Sequence, residues 1–286
     1  MMRLSAFFVL AALATTWLAM PSITHAAGEN WRERASAEES VTASDVAAEV
    51  AFGREISARI LGRYKPYDDP ALVKYISLVG LSLARSTNRP ELEYHFMILD
   101  TGDVNAYAAP GGYVFITKGA LLLMKDESEL AGALAHEIAH VTEKHVVKEL
   151  KIKGEDDSAT SGLAQLVGGS SESARAAFAQ AVDRGLDMIF KNGYKREDEM
   201  QADKSAVTIC ALSGYNSIGL AKYLDRIGSI KEKAPEPSDQ KSLDQTHPSF
   251  TARIAQINEV ITKDGIDIGG LATNKERFAA AVKNVK

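Results

Sequence analysis

The residues whose types and spacing could do chemistry are in the run His136-Glu137-Ile138-Ala139-His140. Successive residues of an α-helix are rotated by about 100°, so residues four positions apart lie on one face, one turn apart. Two imidazoles placed in this way can bind one metal ion, and a glutamate beside the first can reach a water molecule on that ion. The H-E-x-x-H pattern is typical of zinc-dependent proteases, in which the glutamate is the general base. Because the pattern is short, its context has to support it.

The sequence around this motif predicts a buried helix over about 127–150. Asp126 and Glu129 fit a D-x-x-E capping pattern. The apolar residues that follow recur at helical spacing, namely Leu130, Leu134, Ile138 and Val141. Gly132 leaves room for another element to approach the helix closely. Burial of the three polar motif residues without a metal would be costly, so metal binding is the favoured interpretation.

A catalytic zinc needs three protein ligands and one open position, so a third ligand has to be found. His145 is nine residues from His136, which on one continuous helix places it on the opposite face. We therefore expect His145 on the surface or behind a ligand. Glu143 lies on the correct face but two turns above His136, and a surface pair with Lys144 or Lys148 is the better expectation for it.

The segment 196–203 is another source of the third ligand. Glu199 and Asp203 are four residues apart, on one face of a predicted helix. One carboxylate can bind the ion while the other accepts a hydrogen bond from a ligand histidine. An acidic helix start that faces solvent, favoured by the helix dipole, explains the same residues. Residue types and spacing leave both interpretations open.

Four motifs follow one another along the chain, and together they carry a resemblance. They are Asn105-Ala106-Tyr107-Ala108-Ala109-Pro110-Gly111-Gly112, His136-Glu137-Ile138-Ala139-His140-Val141, Glu199-Met200-Gln201-Ala202-Asp203 and Thr246-His247-Pro248. In this order they resemble the HtpX and CAAX-prenyl-protease superfamily of zinc metallopeptidases, peptidase family M48. The resemblance is strongest to its soluble exported BepA/Oma-like branch, and it covers roughly 45–260.

The resemblance implies a role for each matching residue of the metal site. His136, His140 and Glu199 would bind one Zn²⁺ per chain. Glu137 would be the general base, and Asp203 would orient a ligand histidine. The implied reaction is metal-assisted peptide hydrolysis, in which Glu137 accepts a proton and hands it to the leaving amine.

Residues around the implied cleft follow from the same resemblance. His247 would lie near the metal, where it either blocks the open position or assists catalysis. Arg253 stands at the spacing of a basic residue near the cleft, so we count both among the catalytic candidates. The substrate-binding candidates belong to a strand edge that would pair with an extended peptide through main-chain hydrogen bonds, namely Asn105, Ala106, Gly111 and Gly112.

The elements that position these residues predict a mostly helical α+β fold, a gluzincin-type protease domain with a small β-sheet edging the cleft. The expected domain spans 46–263. Helices are predicted over 46–63, 70–88, 118–124, 127–150, 187–214 with an interruption near Gly193, and 248–262. Strands are predicted over 91–99 and within 105–117. The remaining segments are a mobile insertion over 154–185, a loop over 232–244, and a C-terminal tail over 264–286 with an exposed helix from Asn274.

The N-terminus reads as a cleaved signal peptide over 1–26, followed by a flexible segment over 27–45. Met1-Met2-Arg3 precedes an apolar stretch, Pro21 interrupts it, and Thr24-His25-Ala26 offers small residues at the cleavage positions. An uncleaved membrane anchor is the competing interpretation. The only cysteine, Cys210, is predicted to pack in the core. We expect an exported, periplasmic protein without disulfides.

The predicted substrates are unfolded or misassembled envelope proteins, with envelope or membrane-associated proteins as further partners. The net charge of −5 and the lack of a basic patch among aromatics argue against nucleic-acid binding. Integral membrane relatives have several spanning helices and repeat-bearing relatives have a long second domain. We expect neither here, and so neither prenyl-protein processing nor recognition through repeats. A chaperone or scaffold with a zinc site and little turnover is the alternative from another class, and a gluzincin that cuts small peptides is a third.

Overall fold

The computed structural model describes residues 32, 41–154, 172–231 and 248–285, and the fold is given for these ranges. The segments 1–31, 33–40, 155–171, 232–247 and 286 are outside them, so the predicted signal peptide, most of the flexible segment after it, and His247 lie outside the described residues. The helices are α1 (Ala43–Arg63), α2 (Pro70–Ala84), α3 (Lys118–Leu123), α4 (Glu127–Thr142), α5 (His145–Leu150), α6 (Glu172–Asp187), α7 (Arg196–Leu212), α8 (Gly219–Lys231), α9 (Phe250–Lys263) and α10 (Lys275–Val282).

Three strands form one sheet, β1 (His95–Leu99), β2 (Ala106–Ala109) and β3 (Tyr113–Thr117), in the order β1-β3-β2. β1 and β3 are parallel, with His95 opposite Tyr113, whereas β2 and β3 are antiparallel. β2 is therefore an edge strand. The mostly helical α+β fold is as predicted, although β1 begins at His95 and not at residue 91. In the part of the chain that the structure describes, no helix is long and apolar enough to cross a membrane.

The H-E-x-x-H motif lies on α4, and local sequence explains how this helix begins. The Asp126 side chain accepts a hydrogen bond of 3.1 Å from the Glu129 backbone N–H, which caps the helix as predicted. Glu129 in turn accepts one of 3.0 Å from the Lys125 backbone N–H. Every residue of α4 is buried. The prediction of a buried core helix is confirmed, as is the close approach at Gly132, which lies against the backbone of Leu220 at the start of α8.

The predicted single helix over 127–150 is wrong, because the chain turns at Lys144. This residue has φ 58° and ψ 38°, the left-handed conformation, which ends α4 and lets α5 begin at His145. The turn sends the chain from one core cluster into another. Residues of α4 pack with α2, α7, α8 and α9, whereas Val146 and Leu150 of α5 pack with Phe52 and Ile56 of α1.

Other element boundaries differ from the predictions in smaller ways. α1 begins at Ala43, three residues early, because Thr42 and Asp45 form a capping box. α2 ends at Ala84 and not at 88. The interruption near Gly193 is confirmed, since a π-helical turn (Met188–Asn192) and Gly193, at φ 67°, separate α6 from α7. Cys210 is buried in the core, as predicted.

Two further expectations concern the segments beyond the main helices. The C-terminal helix was expected to be exposed, but Phe278 of α10 is 2% exposed and belongs to the main core. Arg277 beside it pairs with the buried Glu127 at the start of α4, so the tail is docked on the motif helix. Of the predicted insertion over 154–185, residues 172–185 form most of α6, and residues 155–171 are outside the described ranges.

Candidate metal centre

Two imidazoles and one carboxylate converge where α4 crosses α7. The Nε2 atoms of His136 and His140 are 3.1 Å apart. Glu199 lies in the first turn of α7. Its Oε2 atom is 3.7 Å from His136 Nε2, and its Oε1 atom is 3.7 Å from His140 Nε2. One ligand atom from each of the three residues lies within 4.8 Å of the others, and all three residues are buried. The first turn of one helix thus faces two successive turns of the other.

Asp203 and Arg253 lie behind this group. The Nδ1 atom of His136 is 2.9 Å from Asp203 Oδ1, so an N–H on Nδ1 is donated to that carboxylate and the Nε2 lone pair stays available. Arg253 of α9 donates two hydrogen bonds of 2.7 Å to Asp203. Its Nη1 is 2.9 Å from Glu199 Oε2. The structure therefore brings Glu199, Asp203 and Arg253 into one network with the first histidine.

The pKa values of two buried carboxyl groups of the site are shifted in opposite directions. Burial is the main cause that raises the pKa of Glu137 to about 7; nearby Glu199 adds to the rise, and the charges of His136 and Arg253 oppose it. Burial also acts to raise the pKa of Asp203, but the charge and hydrogen bonds of Arg253 and a hydrogen bond from His136 outweigh it. The pKa of Asp203 is lowered to about 2. Asp203 is thus a fixed anion, whereas Glu137 can gain or lose a proton near neutral pH.

A cleft of about 390 Å³ opens over His136, Glu137 and His140. One wall is the edge strand with the residues before it, including Asn105 and Ala106 of the predicted substrate-binding set. A further, mainly apolar part of the lining comes from α8 and the first residue of α9, namely Leu220, Tyr223, Leu224, Ile227 and Phe250. The edge strand, the metal group and this apolar lining thus share one cleft.

Gly111 and Gly112 have another setting. They form the turn between β2 and β3 at φ 77° and 95°, values that favour glycine. The Gly111 backbone N–H donates to the buried carboxylate of Glu49 at 3.0 Å, and a Cβ on Gly112 would stand 2.5 Å from the carbonyl oxygen of Glu93. Neither glycine is among the described residues that line the cleft. Their placement indicates that they shape the edge strand from its far end.

The donor set fits a zinc ion. Zinc in catalytic sites takes three protein ligands from imidazoles and carboxylates, at about 2.0–2.2 Å. Two nitrogens at such distances on a tetrahedral ion would be about 3.3 Å apart, close to the 3.1 Å between the histidines.

Comparison with known sequences bears on this arrangement. The sequence profile of peptidase family M48 matches residues 70–261, more than half of the chain. The chain belongs to peptidase family M48. The match begins with α2 and ends within α9, so it contains β1 to β3 and every described residue of the metal group.

Individual relatives of this M48 chain are similar over the same region. A Vibrio cholerae relative, which bears the name of a beta-barrel assembly-enhancing protease, is 30% identical over 207 residues, covering 70% of this chain and 42% of the relative. Metalloprotease YcaL of Escherichia coli is 24% identical over 188 residues, 66% of this chain and 69% of its own. Mitochondrial metalloendopeptidase OMA1 of Schizosaccharomyces pombe is 26% identical over 208 residues, which cover 72% of this chain and 56% of the relative. The chain spans less than half the length of the beta-barrel assembly-enhancing proteases it matches.

Two residues lie around His140 of this M48 site: His145, which was expected on the surface or behind a ligand and lies behind one, and Tyr194, which sequence reasoning missed. His145 is 4% exposed, and its Nδ1 lies 2.8 Å from Nδ1 of His140, not on the opposite face of a continuous helix. Tyr194, just before α7, stacks on the His140 ring with 3.7 Å between centroids. The signal for His145 was its presence five residues after His140; an aromatic next to Gly193 gave no comparable signal.

Glu143 also departs from its expected surface pairing. Its carboxylate accepts hydrogen bonds from Gln201 Nε2 at 2.5 Å and from Ser205 Oγ at 2.6 Å, both on α7. Glu143 is partly buried and faces α7 just beyond the end of α4. It therefore ties the end of the motif helix to the helix that carries Glu199.

Proposed function

We propose that this chain is a zinc-dependent endopeptidase that hydrolyses peptide bonds in unfolded or misassembled proteins of the cell envelope. The observation that carries the proposal is one arrangement in the buried floor of the cleft. Donor atoms of His136, His140 and Glu199 lie within 4.8 Å of one another, and Glu137 opens into the same cleft. Membership of peptidase family M48 supports the same chemistry.

His136, His140 and Glu199 are the proposed ligands of one Zn²⁺. When bound, zinc supplies Lewis-acid activation of a water molecule and polarisation of the scissile carbonyl. Asp203 keeps the N–H of His136 on Nδ1 and so holds its Nε2 lone pair toward the ion. Arg253 fixes Asp203 and contacts Glu199, so it supports two ligands from behind.

Glu137 is the proposed general base and then general acid. Its carboxylate accepts a proton from the water that attacks the carbonyl carbon, and transfers this proton to the amide nitrogen as the C–N bond breaks. A pKa raised by burial to about 7 suits a group that takes up and releases one proton in each turnover. The buried setting also keeps bulk water from competing for that proton.

The edge strand β2 is the proposed recognition surface. Among the described residues it pairs with β3 on one side only, and its residues from Ala106 to Ala108 line the cleft. An extended segment that adds to this edge is recognised through its main chain. Folded proteins have their main-chain groups already bonded, so the edge selects unfolded segments.

His247 remains a catalytic candidate from its sequence motif.

Export to the periplasm and work on envelope proteins form the cellular part of the proposal. The apolar N-terminal segment with a small-residue cleavage pattern supports export. Relatives named beta-barrel assembly-enhancing protease in Vibrio cholerae and Escherichia coli support substrates and partners among envelope proteins under assembly.

The test is the Glu137→Gln variant of the mature protein. We expect about one zinc per chain in wild type and variant, with turnover of an unfolded protein substrate reduced by about 10²–10⁴-fold in the variant, the range for loss of general acid–base catalysis. Glu55→Gln, an exposed change on α1, is the matched control and keeps full turnover. Activity near wild type in Glu137→Gln would remove Glu137 from the mechanism. A wild type that cuts short peptides but no unfolded protein would contradict the substrate class.

A further inference from the structure

His140, the second proposed histidine ligand, has a neighbour of its own at its other ring nitrogen. Its Nδ1 atom lies 2.8 Å from Nδ1 of His145. Two nitrogens at that distance share one proton, since an N–H on each would collide and two lone pairs would repel. The proton lies either on His140, which frees its Nε2 lone pair for a metal, or on His145, which forces the His140 proton onto Nε2.

The contacts of the other ring nitrogen of His145, Nε2, favour one of these states. Its Nε2 atom is 3.4 Å from Gln201 Oε1 and 3.8 Å from Asp198 Oδ1. Both neighbours are oxygen acceptors, so the proton of a neutral His145 is favoured on Nε2.

Glu143 fixes the direction of Gln201 in turn. A carboxylate has acceptors only, and Glu143 Oε2 lies 2.5 Å from the Gln201 amide nitrogen. The nitrogen end of Gln201 is thereby committed to Glu143, and its oxygen end faces His145. Ser205 donates to the other oxygen of Glu143 at 2.6 Å, which holds the carboxylate in place.

We propose that Glu143, Gln201 and His145 form a relay of positioning residues that sets the tautomer of His140. The hydrogen bonds run in one direction, from His140 Nδ1–H to His145, from His145 Nε2–H to Gln201, and from Gln201 N–H to Glu143. The result is an Nε2 lone pair on His140 that faces the metal position. His136 reaches the same state through Asp203, so each histidine has its own acidic terminus.

This inference rests on the proposed function only in taking His140 as a metal ligand, and its first test needs no metal. Long-range ¹H–¹⁵N NMR of the metal-free protein distinguishes the two tautomers of a histidine ring. The His136 Nε2 atom, 3.1 Å from His140 Nε2, favours a proton on His140 Nε2 in the metal-free protein, and it is present in wild type and variant alike. We therefore expect the fraction of His140 with its proton on Nδ1 to be larger in wild type than in His145→Leu. A fraction that does not fall in His145→Leu would overturn the relay, whatever the zinc content or activity of the protein.

The second test is zinc affinity, measured by competition with a chelator. Loss of a residue that orients a ligand weakens metal binding by about 10–100-fold, and we expect this for His145→Leu, with a smaller loss for Gln201→Leu. Lys204→Leu, an exposed change on the same helix, is the matched control and keeps wild-type affinity. His145→Gln offers an amide oxygen to His140 and is expected to recover part of the affinity.

The two proposals fail in different ways. Tight zinc binding that is unchanged in His145→Leu contradicts the relay and leaves the peptidase proposal intact. A wild-type protein that binds no zinc, yet has a larger fraction of His140 protonated on Nδ1 than His145→Leu has, contradicts the zinc site and supports the relay. Thermal unfolding of each metal-free variant separates a loss of folding from a loss of tautomer.

Discussion

Two hydrogen bonds of 2.7 Å join the guanidinium of Arg253 to the carboxylate of Asp203, behind the first histidine of the metal group. Asp203 is fully buried and the Arg253 side chain is 12% exposed. The forked guanidinium matches both carboxylate oxygens, so the carboxylate cannot rotate away from His136. Arg253 lines the cleft, as predicted from the sequence, and stays a catalytic candidate. Its contacts also support a role in fixing the proposed ligands.

Removal of this arginine should therefore damage stability and metal binding together. In Arg253→Met, Asp203 and Glu199 keep their charges but lose the guanidinium that pairs with both. We expect the free energy of unfolding of the metal-free protein to fall by about 3–5 kcal/mol, as when one half of a buried ion pair is lost. Urea unfolding followed by circular dichroism measures it. Arg59→Met, which breaks an exposed pair, should cost less than about 1 kcal/mol, and equal losses in both variants would refute this account.

Glu199 is the proposed ligand that comes from a different helix from the two histidines, and its variant tests the third ligand directly. Glu199→Gln replaces a charged ligand with a neutral amide, so zinc should bind at least about tenfold more weakly, a loss of about 1.4 kcal/mol. Equilibrium dialysis with a zinc-selective chelator measures this. Glu197→Gln, exposed in the same first turn, controls for the loss of a negative charge near the site. Full affinity in Glu199→Gln would place the third ligand elsewhere.

The anionic state of Asp203 predicts how stability changes in acid. Burial favours the neutral acid, but Arg253 and His136 outweigh it and lower the pKa of Asp203 from 3.8 to about 2. A lowered pKa stabilises the folded state above pH 4, and that stabilisation is lost as the pH falls toward 2. Comparison of wild type with Asp203→Asn, metal-free, isolates this contribution.

The expected difference in unfolding free energy between these two proteins shrinks by about 1 kcal/mol from pH 6 to pH 3, about half of the stabilisation that the full shift represents. Urea titrations at both pH values, with chelator present, measure it. A difference that stays constant, or that grows in acid, would mean that Asp203 carries no lowered pKa.

Gly132 should behave in the opposite way from a typical helical glycine. Alanine in place of glycine usually stabilises a helix by about 0.5–1 kcal/mol. A Cβ at position 132 would lie 2.6 Å from the Leu220 backbone nitrogen, which must then move. We expect Gly132→Ala to cost about 1–3 kcal/mol through overpacking, and Gly62→Ala, where nothing lies within 4 Å, to stabilise. Thermal unfolding of both variants measures these changes in stability. A stabilising Gly132→Ala would show that α8 can move away from α4 to make room for the added methyl group.

The sequence was most informative where local signals and chemistry coincide. The cap at Asp126, the apolar stripe of α4 and the i, i+4 spacing of the two histidines all depend on one helix, and all are found in the structure. Glu199 and Asp203 were placed on one helix face by spacing. Their choice over a solvent-facing helix start came from the resemblance to M48 peptidases, because spacing alone does not show which helix lies opposite.

The sequence was least informative where the chain leaves regular geometry or where partners are distant. Lys144 is neither glycine nor asparagine, so its residue type does not predict the left-handed conformation. A projection of one continuous helix therefore places His145 on the wrong face. Glu143, Arg253 and Phe278 find their partners across helix interfaces. Such pairings depend on how helices pack and leave no periodic trace in one sequence.

The left-handed turn at Lys144 has a consequence for how this site can vary. A side chain at this position is not required to touch the metal group, yet its backbone angles decide whether His145 meets His140. Glycine or asparagine adopts such angles at little cost, whereas a β-branched residue strains them. The requirement at position 144 is therefore conformational and not chemical. In the proposed relay, the direction of His140 depends on a single pair of dihedral angles beyond the end of its helix.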